Sequence, residues 1–274
     1  MSAPFRLDRS VIRVSGPDLE SFLQNLLTQD AVLAPGEGRY AALLTPQGKV
    51  VADMILYGAG EEVLMDADPA RAEALKKLLT LYKLRSQIAI VDLSDHVAVV
   101  ADFVAFEGAV PDPRLPGLGW RKIVQREAAA SFSDGAADYD AKRIALGAPD
   151  LARDAAPEEV FALEALLEEL KGVDFQKGCF VGQENVSRMK RRATTRKKFC
   201  PVVFDGDPPP YGAPIRAGEA EIGSVRSGIP GRAIALLRLD RALDAADKGQ
   251  ALTTGDKTVR LDPPPWLLLP TRDD

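Results

Sequence analysis

Asp174-Phe175-Gln176-Lys177-Gly178-Cys179-Phe180-Val181-Gly182-Gln183-Glu184 is the densest constellation of reactive and turn-forming residues in the chain. A thiol stands between two glycines, after a lysine, and just ahead of a helix that the sequence predicts from Gln183 onward. A cysteine at a helix N-terminus, beside Lys177 and with Arg188 on the following helix, is in the setting that favours the thiolate. Gly178 and Gly182 would let backbone N–H groups approach a ligand closely. Glu184 is positioned to cap the helix start or to accept a proton. The same residue types also surround packed, inert thiols, so spacing alone makes Cys179 a candidate and no more.

Composition narrows the chemistry around this stretch. Among 274 residues there is one histidine, His96, and there are two cysteines, Cys179 and Cys200. That excludes a His-rich metal site and the four thiolates of an ordinary protein-held iron–sulfur cluster. A serine triad would have to use His96, which reads as a strand residue. Cys200 sits in an apolar strand pattern and reads as core. Two distant cysteines in a chain this long indicate reduced thiols and a cytoplasmic setting. No apolar run is long enough for a membrane span, and the first residues lack the core of a signal peptide.

Working outward, hydrophobic periodicity predicts the elements. Ser15 caps a helix carrying Leu19, Phe22, Leu23, Leu26 and Leu27 on one face. Tyr40 to Leu44 and Lys49 to Tyr57 form a hairpin around Pro46-Gln47-Gly48, followed by a strand at Val63 to Asp66. A second helix is capped at Asp68-Pro69, with strands at Gln87 to Leu93 and His96 to Asp102 after it. Beyond a proline-rich loop come a strand at Trp120 to Val124 and helices at Ala136 to Leu146 and Glu158 to Lys171. Helix and paired strands in this order indicate an α+β fold, not a parallel βαβ sheet. From Phe199 the texture changes to short apolar runs between Gly, Pro and Asp clusters, the habit of a small β-barrel. Three segments result: 1–110, a first α+β lobe; 111–198, a second lobe containing the thiol motif; and 199–274, the barrel.

The net charge of −5 gives no general reason for nucleic-acid binding. Between Arg188 and Lys198, however, seven of eleven residues are Lys or Arg, leaving 28 basic against 40 acidic residues elsewhere. A local anionic partner is expected there. The strip lacks the interleaved aromatics of a single-strand nucleic-acid surface.

Lys177-Gly178-Cys179-Phe180-Val181-Gly182-Gln183-Glu184 resembles the K-G-C-[FY]-x-G-Q-E signature of YgfZ-type folate-binding proteins, relatives of the glycine-cleavage T-protein (aminomethyltransferase). Ser15 to Gln29, Leu43 to Asp53, Asp112-Pro113-Arg114 with Gly119-Trp120-Arg121, and Arg143 with Gly147 and Pro149 extend the resemblance over essentially the whole chain. It implies two α+β lobes and a C-terminal β-barrel around a central cleft that binds tetrahydrofolate or a derivative. It also implies a monomer that assists assembly or repair of iron–sulfur clusters in client proteins, with an indirect or weak link to tRNA thiolation. The setting would be the cytoplasm, or the mitochondrial matrix in a eukaryote. By the same resemblance Cys179 is the functional thiol, supported by Lys177, Gly178, Gly182, Gln183, Glu184 and Arg188, and Asp53 contacts the pterin.

Three departures matter. T-proteins have paired acids where this chain has Ala52-Asp53, and a folate-clamping glutamate where it has Ala145. Removing one such acceptor deletes a charge-assisted hydrogen bond worth roughly 1.5–3 kcal/mol. Ala193 stands where relatives commonly have glycine. The expectation is therefore an accessory protein, with a folate-dependent one-carbon transferase as the alternative and a tRNA-binding module as a third.

Overall fold

A computed structural model describes residues 3–192 and 195–270. Ala193 lies outside the described residues. The first stretch contains β1 (Phe5–Leu7), β2 (Ser10–Ser15), α1 (Leu19–Leu26), β3 (Gly38–Leu44), β4 (Val50–Gly58), β5 (Glu62–Ala67), α2 (Pro69–Lys83), β6 (Ala89–Asp92) and β7 (Val97–Asp102). There follow β8 (Val110–Pro111), β9 (Trp120–Gln125), α3 (Arg126–Ala129), β10 (Ser133–Asp134), α4 (Ala136–Leu146), α5 (Leu151–Asp154) and α6 (Gln183–Arg191). The last stretch holds β11 (Lys197–Val203), β12 (Pro214–Ala217), β13 (Ala220–Ile229), β14 (Arg232–Arg238), α7 (Leu239–Asp247), β15 (Leu252–Thr254) and β16 (Lys257–Leu261).

The expected α+β architecture is present. One sheet runs β3-β4-β5-β2-β6, a second β10-β1-β7-β9-β8, and the remaining strands close a barrel in the order β11-β14-β13-β12-β15-β16. The second sheet thus draws β1 and β7 from the first stretch of chain. Among the described residues no helix is long and apolar enough to cross a membrane.

Strand parity decides where the polar groups go. Side chains alternate faces along a strand. On β4, Ala52, Met54 and Leu56 pack under α1 and α2, in a core with Phe22, Leu23 and Leu75. Ile55 and Tyr57 face the opposite way, into the large core shared with the second sheet and the barrel. Asp53 has the parity of Ile55 and Tyr57, and Asp66 on β5 lies opposite Ile55 in register. Both carboxylates therefore point at the seam between the sheets, where β9 presents Arg121.

Three local expectations are corrected. Ser15 is the last residue of β2, and Asp18 occupies the helix-start position with its carboxylate accepting from the Gln87 N–H at 2.6 Å. Gly16 makes this possible: its φ is +128°, and a Cβ there would lie 2.3 Å from the Gln87 carbonyl oxygen. Glu158 to Lys171 is not a helix but a run of tight turns. Glu158, Leu166 and Lys171 have φ of 57°, 61° and 58°, which breaks the helical hydrogen-bond ladder while Leu163, Leu166, Leu167 and Leu170 stay buried. Their apolar spacing reflects burial from all sides, which mimics a helical pattern. His96 is an exposed turn residue preceding β7, with its carbonyl accepting from the Arg126 N–H at 2.9 Å.

Candidate functional site

The thiol loop is built as a rigid platform. At its entry the Asp174 carboxylate accepts from the Gln176 and Lys177 N–H groups at 2.7 and 3.3 Å, and the Asp174 N–H donates to the Thr28 carbonyl at 2.9 Å. The Lys177 amine then reaches back to the end of α1, donating to the Leu27 and Gln29 carbonyls at 2.6 and 3.0 Å. Burial lowers its pKa to about 8, against the opposing pull of Asp30 and Asp174. At the exit the Val181 N–H donates to the Asn25 carbonyl at 3.2 Å, and the Asn185 amide donates to the Gln47 carbonyl at 2.9 Å. Between these anchors Cys179 is exposed, whereas burial pushes the Cys200 thiol up to about 12.

The two glycines do different jobs. Gly182 has φ +84° at the start of α6, and a Cβ on it would lie 2.7 Å from the Thr45 carbonyl oxygen and 3.0 Å from the Gly48 Cα. It is needed for close packing against the β3–β4 turn. A Cβ on Gly178 would meet open space. Lys177 is a backbone staple: its donors go to carbonyl oxygens. Arg188 is exposed and donates to the Asn185 side chain at 2.5 Å. Glu184 is exposed, Gln183 is half-buried, and neither shows a side-chain cap on the start of α6. Among the described residues no three His, Cys, Asp or Glu side chains converge to hold a metal ion.

The basic strip divides. Lys190 pairs with Glu168 at 2.8 Å and lies 3.7 Å from the Phe175 ring centroid. Lys198 is buried against Glu169 at 2.7 Å and the Leu268 carbonyl at 3.0 Å. Arg188, Arg191 and Arg192 remain exposed at the end of α6.

The seam between the sheets is filled by an ion network that sequence reasoning did not assemble. Arg121 donates to Asp66 at 2.8 Å, Asp112 at 3.1 Å and the Tyr139 hydroxyl at 2.6 Å. Arg114 forks onto Asp112 at 3.0 and 2.7 Å and also reaches Tyr139 at 2.7 Å. Arg9, in the link between β1 and β2, also pairs with Asp66. Burial alone would raise the Asp112 carboxyl, but Arg114 and Arg121 overcome it and hold the group far below the usual range. The available signal was a charge at an inward position of two mostly apolar strands, Asp66 in β5 and Arg121 in β9, which also carry Glu62 and Lys122.

Arg9, Asp53, Arg114, Tyr139, Arg143 and Asp150 line the partly open cavity beside this network, whose volume is about 50 Å³. That space suits a few waters, whereas a ring system needs several times more. Its chemistry does match a pterin's amino edge. The arginines pair with Asp66, Asp112, Asp140 and Asp154, while among the described residues the Asp53 carboxylate accepts only from Tyr40, at 2.9 Å, and the Asp150 carboxylate only from the Ala152 N–H, at 3.0 Å. Burial, then Asp150, raise the Asp53 pKa, so its charged form is disfavoured without a donor. Burial pushes Asp150 up too, but Arg143 leads the charges that bring it below normal. Arg143 is a tie between α4 and the barrel: it donates to Asp154 at 2.8 Å and Ser227 at 2.7 Å. Its neighbour Ala145 carries no side-chain acceptor.

Comparison with known proteins matches this architecture. Residues 9–101 match the family described as the GCVT N-terminal domain, and residues 196–268 the CAF17 C-terminal beta-barrel domain. The crystal structure of the glycine cleavage system aminomethyltransferase T from Bartonella henselae superposes with a TM-score of 0.77 over 96% of this chain and 86% of that one, at 18% identity. The fold is therefore that of the T-protein superfamily, closed by a CAF17-type barrel. The chain is 33% identical to the mitochondrial iron-sulfur cluster assembly factor IBA57 of Homo sapiens, over 86% of its length and 77% of the human protein. It is also 33% identical to the Neurospora crassa IBA57 homolog, over 72% of its length and 52% of that protein. The chain belongs to the IBA57 family of iron–sulfur cluster assembly factors.

Proposed function

We propose that this chain is an accessory factor for assembling or repairing iron–sulfur clusters in other proteins, with Cys179 as its working thiol. The observation that carries this reading is the contrast between its two cysteines. Cys179 is exposed on a loop anchored on both sides, and Cys200 is buried. One thiol cannot hold a cluster alone, so the remaining ligands come from a client or assembly partner. The names of the relatives support the cluster role, and the KGCFVGQE octapeptide supports a grouping with YgfZ-type proteins, for which a tRNA-thiolation link would be indirect. The relatives are named as mitochondrial; the matching setting here is the matrix, or the cytoplasm if the source is bacterial.

Tetrahydrofolate is the proposed ligand of the seam. Asp53 and Asp150 would accept from the amino edge of the pterin, and the group would supply a one-carbon carrier. With a volume of about 50 Å³, the cavity would have to widen to admit the pterin. The absent carboxylates at Ala52 and Ala145 weigh against T-protein-like transfer. The three-part division at residues 110 and 198 belongs to the same reading.

Deleting the gene tests the function: iron–sulfur enzyme activities should fall while the amounts of those polypeptides hold. Unchanged activities would refute the cluster role. Titrating tetrahydrofolate into wild type and Asp53→Ala tests the ligand. Saturable binding weakened by the substitution is expected, and no saturable binding to either would remove folate.

A further inference from the structure

The outward face of α6 bears charges that no carboxylate among the described residues neutralises. Val186 is buried and Met189 packs on the core, so the helix turns Glu184, Arg188 and Arg191 to solvent at four- and three-residue spacing, with Arg192 beside them. Such spacing puts side chains in one stripe. Among the described residues no carboxylate pairs with Arg188, Arg191 or Arg192, although Lys190 and Lys198 in the same strip are both neutralised. The stripe rises directly from the thiol loop. Arg188 lies about 9 Å along the axis from Gly182, within the Debye length of about 10 Å at 0.1 M salt.

We propose that this face, together with the Cys179 loop, docks an acidic protein surface, and that the three arginines orient it on the thiol. The proposal rests on Cys179 being the working thiol and adds the chemistry of the partner. Charge complementarity carries it: the chain as a whole is at −5, so an acidic surface is repelled elsewhere and drawn to this stripe. RNA is the poorer fit. Three unpaired cations are fewer than the roughly six to ten phosphate contacts of a nucleic-acid binder. The aromatic within the patch, Phe175, is covered by Lys190.

The test uses disulfide exchange at Cys179 in the full chain. Two probe peptides carry one cysteine as its 2-pyridyl disulfide, flanked by glutamates in one and by glutamines in the other. The Cys179 thiolate attacks the peptide sulfur, the new S–S bond forms, and pyridine-2-thione leaves and is read by absorbance. Wild type should react roughly ten-fold faster with the acidic peptide at low salt, with the preference vanishing at high salt. The triple variant Arg188→Gln, Arg191→Gln, Arg192→Gln should lose the preference, read as the ratio of the two peptides' rates on the same variant so that any change in thiol reactivity cancels, and an unchanged thermal melt shows the fold intact. A charge-matched control on the barrel, Arg216→Gln, Lys257→Gln, Arg260→Gln, should keep the preference.

Equal wild-type rates for the two peptides would overturn the proposal, as would a preference that survives the triple variant or disappears in the control. A single-stranded oligoribonucleotide of equal charge that slows the acidic peptide's reaction more than a free glutamate peptide does would make the face an RNA surface instead. If the cluster role itself is wrong, gene deletion leaves iron–sulfur enzymes active whatever the peptides do.

Discussion

Gly182 and Gly48 touch backbone to backbone, joining the start of α6 to the β3–β4 turn so closely that a Cβ on Gly182 would lie 3.0 Å from the Gly48 Cα. The thiol motif is thereby fixed to the first sheet as well as to α1. Gly182→Ala combines a left-handed φ with a backbone clash and should cost about 1–3 kcal/mol. Gly178→Ala meets open space and should be close to neutral. Chemical denaturation of the two variants checks the contrast.

Arg121 is held by two buried carboxylates, Asp66 and Asp112. Arg121→Met leaves both without this cation in the seam, and breaking a buried pair in this way costs about 3–5 kcal/mol. Urea midpoints should fall accordingly. A loss below about 1 kcal/mol, the level of surface pairs, would mean that the network is not closed in solution.

Asp53 is a carboxylate whose pKa burial and Asp150 raise above the ordinary value. The folded state therefore holds its proton to higher pH than the unfolded chain, and stability declines as pH climbs through that window. Asp53→Asn keeps an acceptor for Tyr40 and removes the charge. It should be more stable than wild type at neutral pH, with the advantage shrinking toward pH 4. Thermal melts across that range read the sign.

The Lys177 amine titrates near 8 in the folded chain because burial disfavours its charge. Between pH 8 and the ordinary lysine value of about 10.4, the unfolded chain binds more protons, so wild type gains stability as pH rises. Lys177→Met should lack this gain, and should lose the two carbonyl contacts that pin the loop. Denaturation at pH 7.5 and pH 10 compares the slopes. Hydrogen exchange around Phe180 and Val181 should quicken in the variant.

Much of the fold was legible because parity and periodicity act locally. The hairpin around Pro46-Gln47-Gly48, α2 capped by Asp68, and α4 over Ala136 to Leu146 all follow from their own residues. Glu158 to Lys171 was not legible, since three left-handed residues are imposed by packing rather than by glycine. Within the site, the exposure of Cys179 agrees with its glycine-flanked loop. The staple role of Lys177 was hidden, because its partners are carbonyl oxygens distant in sequence. The seam network was equally hidden: Arg9, Asp66, Asp112 and Arg121 sit on separate strands and loops, and only sheet packing brings them together.

The central claim is that one of the two thiols does the work. The direct measurement is iron–sulfur enzyme activity in cells lacking this protein, supplied with wild type, Cys179→Ser or Cys200→Ser at matched abundance. Wild type and Cys200→Ser should restore activity, and Cys179→Ser should not. Full restoration by Cys179→Ser would contradict the account.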